Sequence, residues 1–146
     1  MFPQKIKKNK TREINKKIEK RFGVNPGFKH LMSVGDWIYI YTGKEQDFSE
    51  IPNIISAGLN IGKFKNEFMP TIEGAQIINP KKNYFLLEHY EDALKWMQGE
   101  DILTEDKNCN AGYVIIKYNG DILGSGVYER GIIRNRLAKN RKLRYK

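Results

Sequence analysis

The dipeptide Asn119-Gly120 places the tightest constraint on how this chain folds. It separates residues 112–118 from residues 121–128, two runs rich in β-branched and aromatic side chains. Asn-Gly is the pair best suited to the two positive φ angles of a type I′ turn, so a two-residue β-hairpin is predicted over 112–128. Other segments have strand character too. Trp37-Ile38-Tyr39-Ile40-Tyr41 follows turns at Asn25-Pro26-Gly27 and Gly35-Asp36 and ends at Gly43, before a polar loop at 44–53. Residues 54–64 alternate loosely, with Gly58 and Gly62 allowing a bulge or the close approach of another backbone. The short apolar run 84–87, bounded by Asn83 and Glu88, reads as a buried strand. Residues 132–139 either close the sheet or form a short turn of helix, and the sequence does not decide between them.

Three helices are predicted. The first covers 11–22, with Thr11 as N-cap, Ile14, Ile18 and Phe22 along one stripe at i, i+4, i+8, and Gly23 as its stop. The stripe argues that this lysine-rich segment docks against the body. The second, 71–78, opens at Met69-Pro70-Thr71, with Gly74 counting against it. The third, 90–98, has Tyr90, Ala93, Leu94 and Met97 on one side, Glu91 and Asp92 near the positive end of the dipole, and Gly99 as cap.

Charge is distributed unevenly along the chain. Residues 1–22 carry nine basic groups against two acidic, residues 129–146 carry eight against one, and residues 23–128 carry nine against fourteen. Two ends of +7 each thus flank a body of −5, within a total of +9. Cationic blocks of this density attract phosphate backbones by releasing counterions. At 146 residues, 40% apolar and 12% aromatic, the chain can bury a core but leaves no room for a large multi-domain enzyme. It has no apolar run long enough for a membrane span, and its start lacks the apolar stretch of a signal peptide, so a cytoplasmic location is expected.

Catalytic and metal-binding patterns are weak. One cysteine, Cys109, and two histidines, His30 and His89, cannot assemble a zinc site, and no cofactor or metal is expected. Cys109 lies in a polar stretch with no neighbouring histidine and reads as an exposed, unactivated thiol. Glu88-His89 and Glu91-Asp92 stand at a strand-to-helix junction, where cap residues are more common than an acid/base pair. Gly124-Ser125-Gly126 lies within a hairpin strand and lacks the strand-loop-helix order of a phosphate-binding loop; another backbone, or an RNA strand, is expected to pack over it.

Taken in order, residues 96–102, Gly112-Tyr113-Val114-Ile115-Ile116, Leu123-Gly124-Ser125-Gly126, Arg134-Asn135 and Lys139-Asn140-Arg141 resemble the PUA-type RNA-binding module. More narrowly, the pattern resembles the C-terminal extension of NOL/NOP/Sun-type RNA cytosine-5 methyltransferases and related small stand-alone archaeal-type proteins. Upstream, Arg21-Phe22-Gly23-Val24, residues 57–62 and Phe68-Met69-Pro70-Thr71 resemble the segment preceding the module in those proteins. Two positions depart from the family pattern: Val127 stands where a lysine often follows the Gly-x-Gly element, and Ala138 where a proline often precedes the late lysine.

The resemblance implies an α+β fold, with a small mixed α/β N-terminal part (1–83) followed by a PUA-like β pseudobarrel (84–146). It also implies binding to structured rRNA or tRNA, with an RNA-modifying enzyme or a pre-ribosomal particle as a further partner. Lys63, Lys65, Arg130, Arg134, Asn135, Arg136, Lys139 and Arg141 are the expected RNA-contacting residues. The methyltransferase core and its Pro-Cys nucleophile motif are absent from these residues, so the expected role is non-catalytic, as an assembly or targeting factor. The competing readings are a small enzyme using an unrecognised acidic site in the −5 body and a DNA-binding or membrane-surface protein. The latter lacks a helix-turn-helix pattern and the bulky apolar face of an interfacial helix.

Overall fold

The apolar stripe of the first helix organises the N-terminal half. A computed structural model describes residues 3–41, 58–105 and 109–137, and in it Ile14, Ile18 and Phe22 are fully buried. Burying each such side chain stabilises the fold by about 1.5–3 kcal/mol, enough to hold a lysine-rich helix on the body. This helix, α1 (Lys8–Phe22), ends at Gly23, whose φ of 77° lets its N–H reach the Glu19 carbonyl. It packs on an antiparallel meander of β1 (Gln4–Lys5), β2 (Leu31–Val34), β3 (Trp37–Tyr41), β4 (Gly58–Phe64) and β5 (Phe68–Pro70), in that spatial order. Buried Asn15 donates to the Phe28 carbonyl at 2.9 Å and accepts from the Phe28 N–H at 3.0 Å, which ties the helix to the segment leading into β2.

The second sheet contains β6 (Tyr84–Leu87), β7 (Ile102–Leu103), β8 (Gly112–Tyr118), β9 (Asp121–Glu129) and β10 (Ile132–Asn135), ordered β6-β8-β9-β10-β7. Among the described strands, only β6 and β8 pair in parallel. Helix α2 (Ile72–Ile78) joins the two sheets and α3 (Tyr90–Met97) follows β6. The two halves share apolar packing, since Ile115 of β8 belongs to the cluster that contains Ile14, Phe22 and Ile61. Among the described residues, no helix is long and apolar enough to cross a membrane.

The predicted hairpin is present: Tyr118 pairs with Asp121, and Asn119 and Gly120 have φ of 50° and 85°. Residues 132–135 form a strand, joined to β9 by Arg130-Gly131 with φ of 50° and 82°. The predicted irregularity in the 54–64 strand falls where Gly62 pairs with Ile38 and Asn60 with Tyr39, leaving Ile61 as the extra residue. Gly43, the 44–53 loop and residues 54–57 lie outside the described residues.

Several expectations are corrected. Thr11 is not the N-cap: α1 begins at Lys8, because β1 pairs with β2 and the Ile6 N–H bonds to the Leu31 carbonyl, so strand pairing sets the entry to the helix. Thr11 is instead buried inside the helix. Residues 84–87 form an edge strand, with Leu86 exposed, because β6 pairs on one side only. Helix α3 buries Ala93 and Trp96 and leaves Tyr90 exposed, since the Trp96 indole reaches over β9 and donates to the Leu123 carbonyl at 2.9 Å. Gln98 takes the C-cap position of α3, and Gly99 lies one residue beyond it. Cys109 is buried, not exposed, with its Sγ 3.4 Å from the Tyr84 carbonyl, because the segment before β8 packs under β6.

Candidate nucleic-acid interface

A groove of about 460 Å³ opens where the two sheets meet, and its walls come from both. One wall begins at Trp37, placed first in β3 by the two-residue turn Gly35-Asp36. Along β3 the side chains alternate, so with Ile38 buried Trp37 points outward, and it is 38% exposed. Its cross-strand partner is Lys63, whose Nζ stands 5.7 Å from the indole centroid. This is cation–π geometry, which keeps the ring and the positive charge together.

The floor is fixed by a polar seam. Thr71 caps α2 by accepting from the Gly74 N–H at 3.0 Å, and its hydroxyl donates to the Asn60 carbonyl at 2.8 Å. Buried Ser125, from the Gly-Ser-Gly element, donates to the Pro70 carbonyl at 3.1 Å and so links β9 to β5. The glycines beside it are covered by the protein's own chain. A Cβ on Gly126 would lie 2.6 Å from Ile133 Cγ2 and 2.9 Å from Trp96 Cη2, and one on Gly124 would lie 2.9 Å from Leu137 Cδ1. A Gly126 Cβ would also lie 2.7 Å from the Arg134 carbonyl oxygen, so the expected backbone packing at Gly126 is internal, whereas Gly124 lines the groove.

The opposite wall is Arg136 and Leu137, just past β10. The Arg136 N–H bonds to the Ser125 carbonyl at 3.3 Å, and the Leu137 N–H to the Asn135 side-chain oxygen at 2.9 Å. Asn135 also donates to the carbonyls of Trp96 (2.8 Å) and Glu100 (3.1 Å), while its N–H bonds to Asp101 at 2.7 Å. Its amide is thus engaged within the fold, where it holds the chain that presents Arg136 to the groove.

The expected contact residues are dispersed. Arg136 lines the groove, and Lys63 stands over the ring of Trp37, which also lines it. Lys65 is exposed in the β4–β5 turn, and Arg134 is exposed on β10. Arg130 lies in the β9–β10 turn, roughly 20 Å from Arg136 at about 3.3 Å per strand residue. Lys139 and Arg141 lie outside the described residues. Trp37 was absent from the expected set, although the alternation of aromatic and isoleucine residues in 37–41 already placed its ring opposite Ile38.

An aromatic face with one cation over its ring and a second cation lining the same groove can stack on a base while the cations meet phosphates. Among the described residues, no group of three or more His, Cys, Asp or Glu could hold a metal ion.

The comparisons with known proteins follow the same lines. Residues 88–143 match the family model described as "Methyltransferase RsmF PUA domain". Among solved structures, the fold is similar to that titled "Structure of a Conserved PUA Domain Protein from Thermoplasma acidophilum", with a TM-score of 0.67 and 13% identity over 94% of this chain and 93% of that one. No curated protein gives a significant sequence match. The α+β architecture with a PUA-like pseudobarrel is the fold observed.

Proposed function

We propose that this chain, whose residues 88–143 match a PUA domain model and whose fold is similar to that of a PUA domain protein, binds structured RNA, either rRNA or tRNA, through the groove between its two sheets. In this reading residues 1–83 are the segment preceding the PUA-like part and 84–146 are that part. The protein works in the cytoplasm without chemistry of its own, as an assembly or targeting factor for an RNA-modifying enzyme or a pre-ribosomal particle. The observation that carries the reading is the outward-facing Trp37, with Lys63 over its ring and Arg136 lining the same groove as the indole. A groove lined by an aromatic face and a cation, with a second cation over the aromatic ring, suits a base and its phosphates better than a small apolar ligand.

The test is a titration of the whole chain against labelled bulk tRNA at increasing salt. Affinity should fall with a log–log slope of roughly −3 to −6, as phosphate neutralisation by several cations requires. The Trp37→Ala and Arg136→Gln variants should each weaken binding about tenfold or more, since stacking on one base contributes about 1–3 kcal/mol. Binding that ignores salt and both substitutions overturns the assignment.

A further inference from the structure

The groove leaves the densest charge of the N-terminal half unused. On α1, Arg12, Lys16 and Lys20 follow one another at i, i+4, i+8 and form a ridge with about 6 Å of axial rise per step. They border a shallow trough of about 470 Å³ together with Lys17. Of the two acidic residues on the helix, Glu13 is already paired with Lys10 at 3.2 Å. Among the described residues, none of Arg12, Lys16, Lys17 and Lys20 forms an ion pair. A cationic ridge of this kind, without paired carboxylates, attracts a polyanion more strongly than it serves the fold.

The trough does not end blindly. Lys17 and Lys20 also line a second cavity of about 280 Å³, which lies at the C-terminal end of the helix. Its walls include Phe68 and Tyr113, and Asn110 and Glu67 supply polar groups at its edge. The backbone of Asn110 is spoken for, since its N–H bonds to Asn83 and its carbonyl accepts from Arg21, but its side chain is exposed. At this size the cavity falls just below the range of pockets for drug-sized ligands, which suits a single flat ring system. A lining that combines Lys17 and Lys20, which also border the trough, with Phe68 and Tyr113 matches a phosphate followed by a base.

This surface is separate from the groove. Phe64 points into the core under α1, with Lys10 Nζ 4.9 Å from its ring, whereas its neighbour Lys63 points the other way, to Trp37. Helix and groove therefore lie on opposite faces of the first sheet.

We propose that α1 and the cavity at its end form a second RNA contact, in which the phosphates of an unpaired strand follow Arg12, Lys16 and Lys20 and one base enters beside Tyr113. The proposal rests on the RNA-binding reading above and adds a site and a strand class to it.

The test uses the full chain, a labelled oligouridine single strand and bulk tRNA. Gln has nearly the helix propensity of Lys and Arg, so an Arg12→Gln/Lys16→Gln/Lys20→Gln variant keeps its melting temperature. The expected results are an oligouridine affinity at least tenfold weaker and a salt slope shallower by about 2, from three lost contacts at about 0.7 each. Photocrosslinking of the wild-type complex through 4-thiouridine should label Tyr113 or Asn110. Wild-type affinity and slope in the triple variant would overturn the helix platform, and crosslinks that all fall outside the cavity would overturn the base site. A wild-type chain that binds neither probe at low salt removes the RNA reading itself and this proposal with it, an outcome distinct from a triple variant that binds like wild type.

Discussion

The guanidinium of Arg21, near the end of α1, donates through Nε to the carbonyl of Tyr113 in β8 at 2.8 Å, across 92 residues of sequence. Its Nη1 and Nη2 reach the Ala111 and Asn110 carbonyls at 3.0 and 2.6 Å, so one planar fork closes three acceptors at the start of the central hairpin. The Arg21 carbonyl in turn accepts from Asn83 at 2.5 Å. Burial lowers the Arg21 pKa from its usual value, partly offset by the nearby Glu67 and Cys109, yet guanidinium remains charged under any working condition. This joint fastens the N-terminal helix to the second sheet.

Arg21→Lys should therefore not behave as a conservative change. A lysine has the charge but not the fork, and it leaves at least one of the three carbonyls without its donor. Hydrogen bonds from a charged donor contribute about 1.5–3 kcal/mol each, so a loss of about 2–3 kcal/mol in urea unfolding is expected. A variant as stable as wild type would show that the three contacts are dispensable.

Gly74→Ala should be destabilising although it sits in a helix. In an exposed helix interior this substitution gains about 1 kcal/mol. Here a Cβ would collide with the Ile61 backbone carbonyl, because α2 lies directly on the bulged residue of β4. Backbone cannot swing away as a side chain can, so a loss of about 3 kcal/mol or more, or failure to fold, is expected from thermal melts and soluble yield. A raised melting temperature would contradict the close approach.

Thr11→Val is expected to stabilise. The Thr11 side chain is buried, and its Oγ1 has no hydrogen-bond partner among the described residues. A buried, unsatisfied hydroxyl costs about 1–3 kcal/mol. Valine has nearly the same shape and a similar helix propensity, so the melting temperature should rise by about 3 °C per kcal/mol recovered. A fall in melting temperature would show that the hydroxyl is satisfied in solution.

Local patterns in the sequence were sufficient for the elements whose conformation is set within one turn of the chain. Asn119-Gly120 dictates its hairpin because few other residue pairs tolerate two positive φ angles in succession. Ile14, Ile18 and Phe22 dictate a docked helix because a 3.6-residue period puts them on one side. Thr71 and Gly23 mark helix ends through bonds to residues three or four positions away. The short strands β1, β2, β5 and β7, of two to four residues, were not legible, because so few residues show no period and their partners alone make them strands. The burial of Trp96 in place of Tyr90 was likewise decided by β9, whose Gly126 leaves room for the indole.

The candidate site divides in the same way. That Lys63 and Arg136 are cations, and that Trp37 faces away from Ile38, is written in the sequence. That Trp37 and Arg136 share a groove, with Lys63 over the indole, is not, because the groove exists only where Ser125 bonds to Pro70 and Asn135 turns the chain after β10. Asn135 looked like a contact residue from sequence because a free polar side chain and a half-buried bracket have the same composition. Cys109 looked exposed for the matching reason: polar neighbours in sequence do not reveal that the segment packs under β6. Periodicity and turn chemistry act between near neighbours, whereas burial and site assembly depend on which faces meet across tens of residues, and only the tertiary structure decides that.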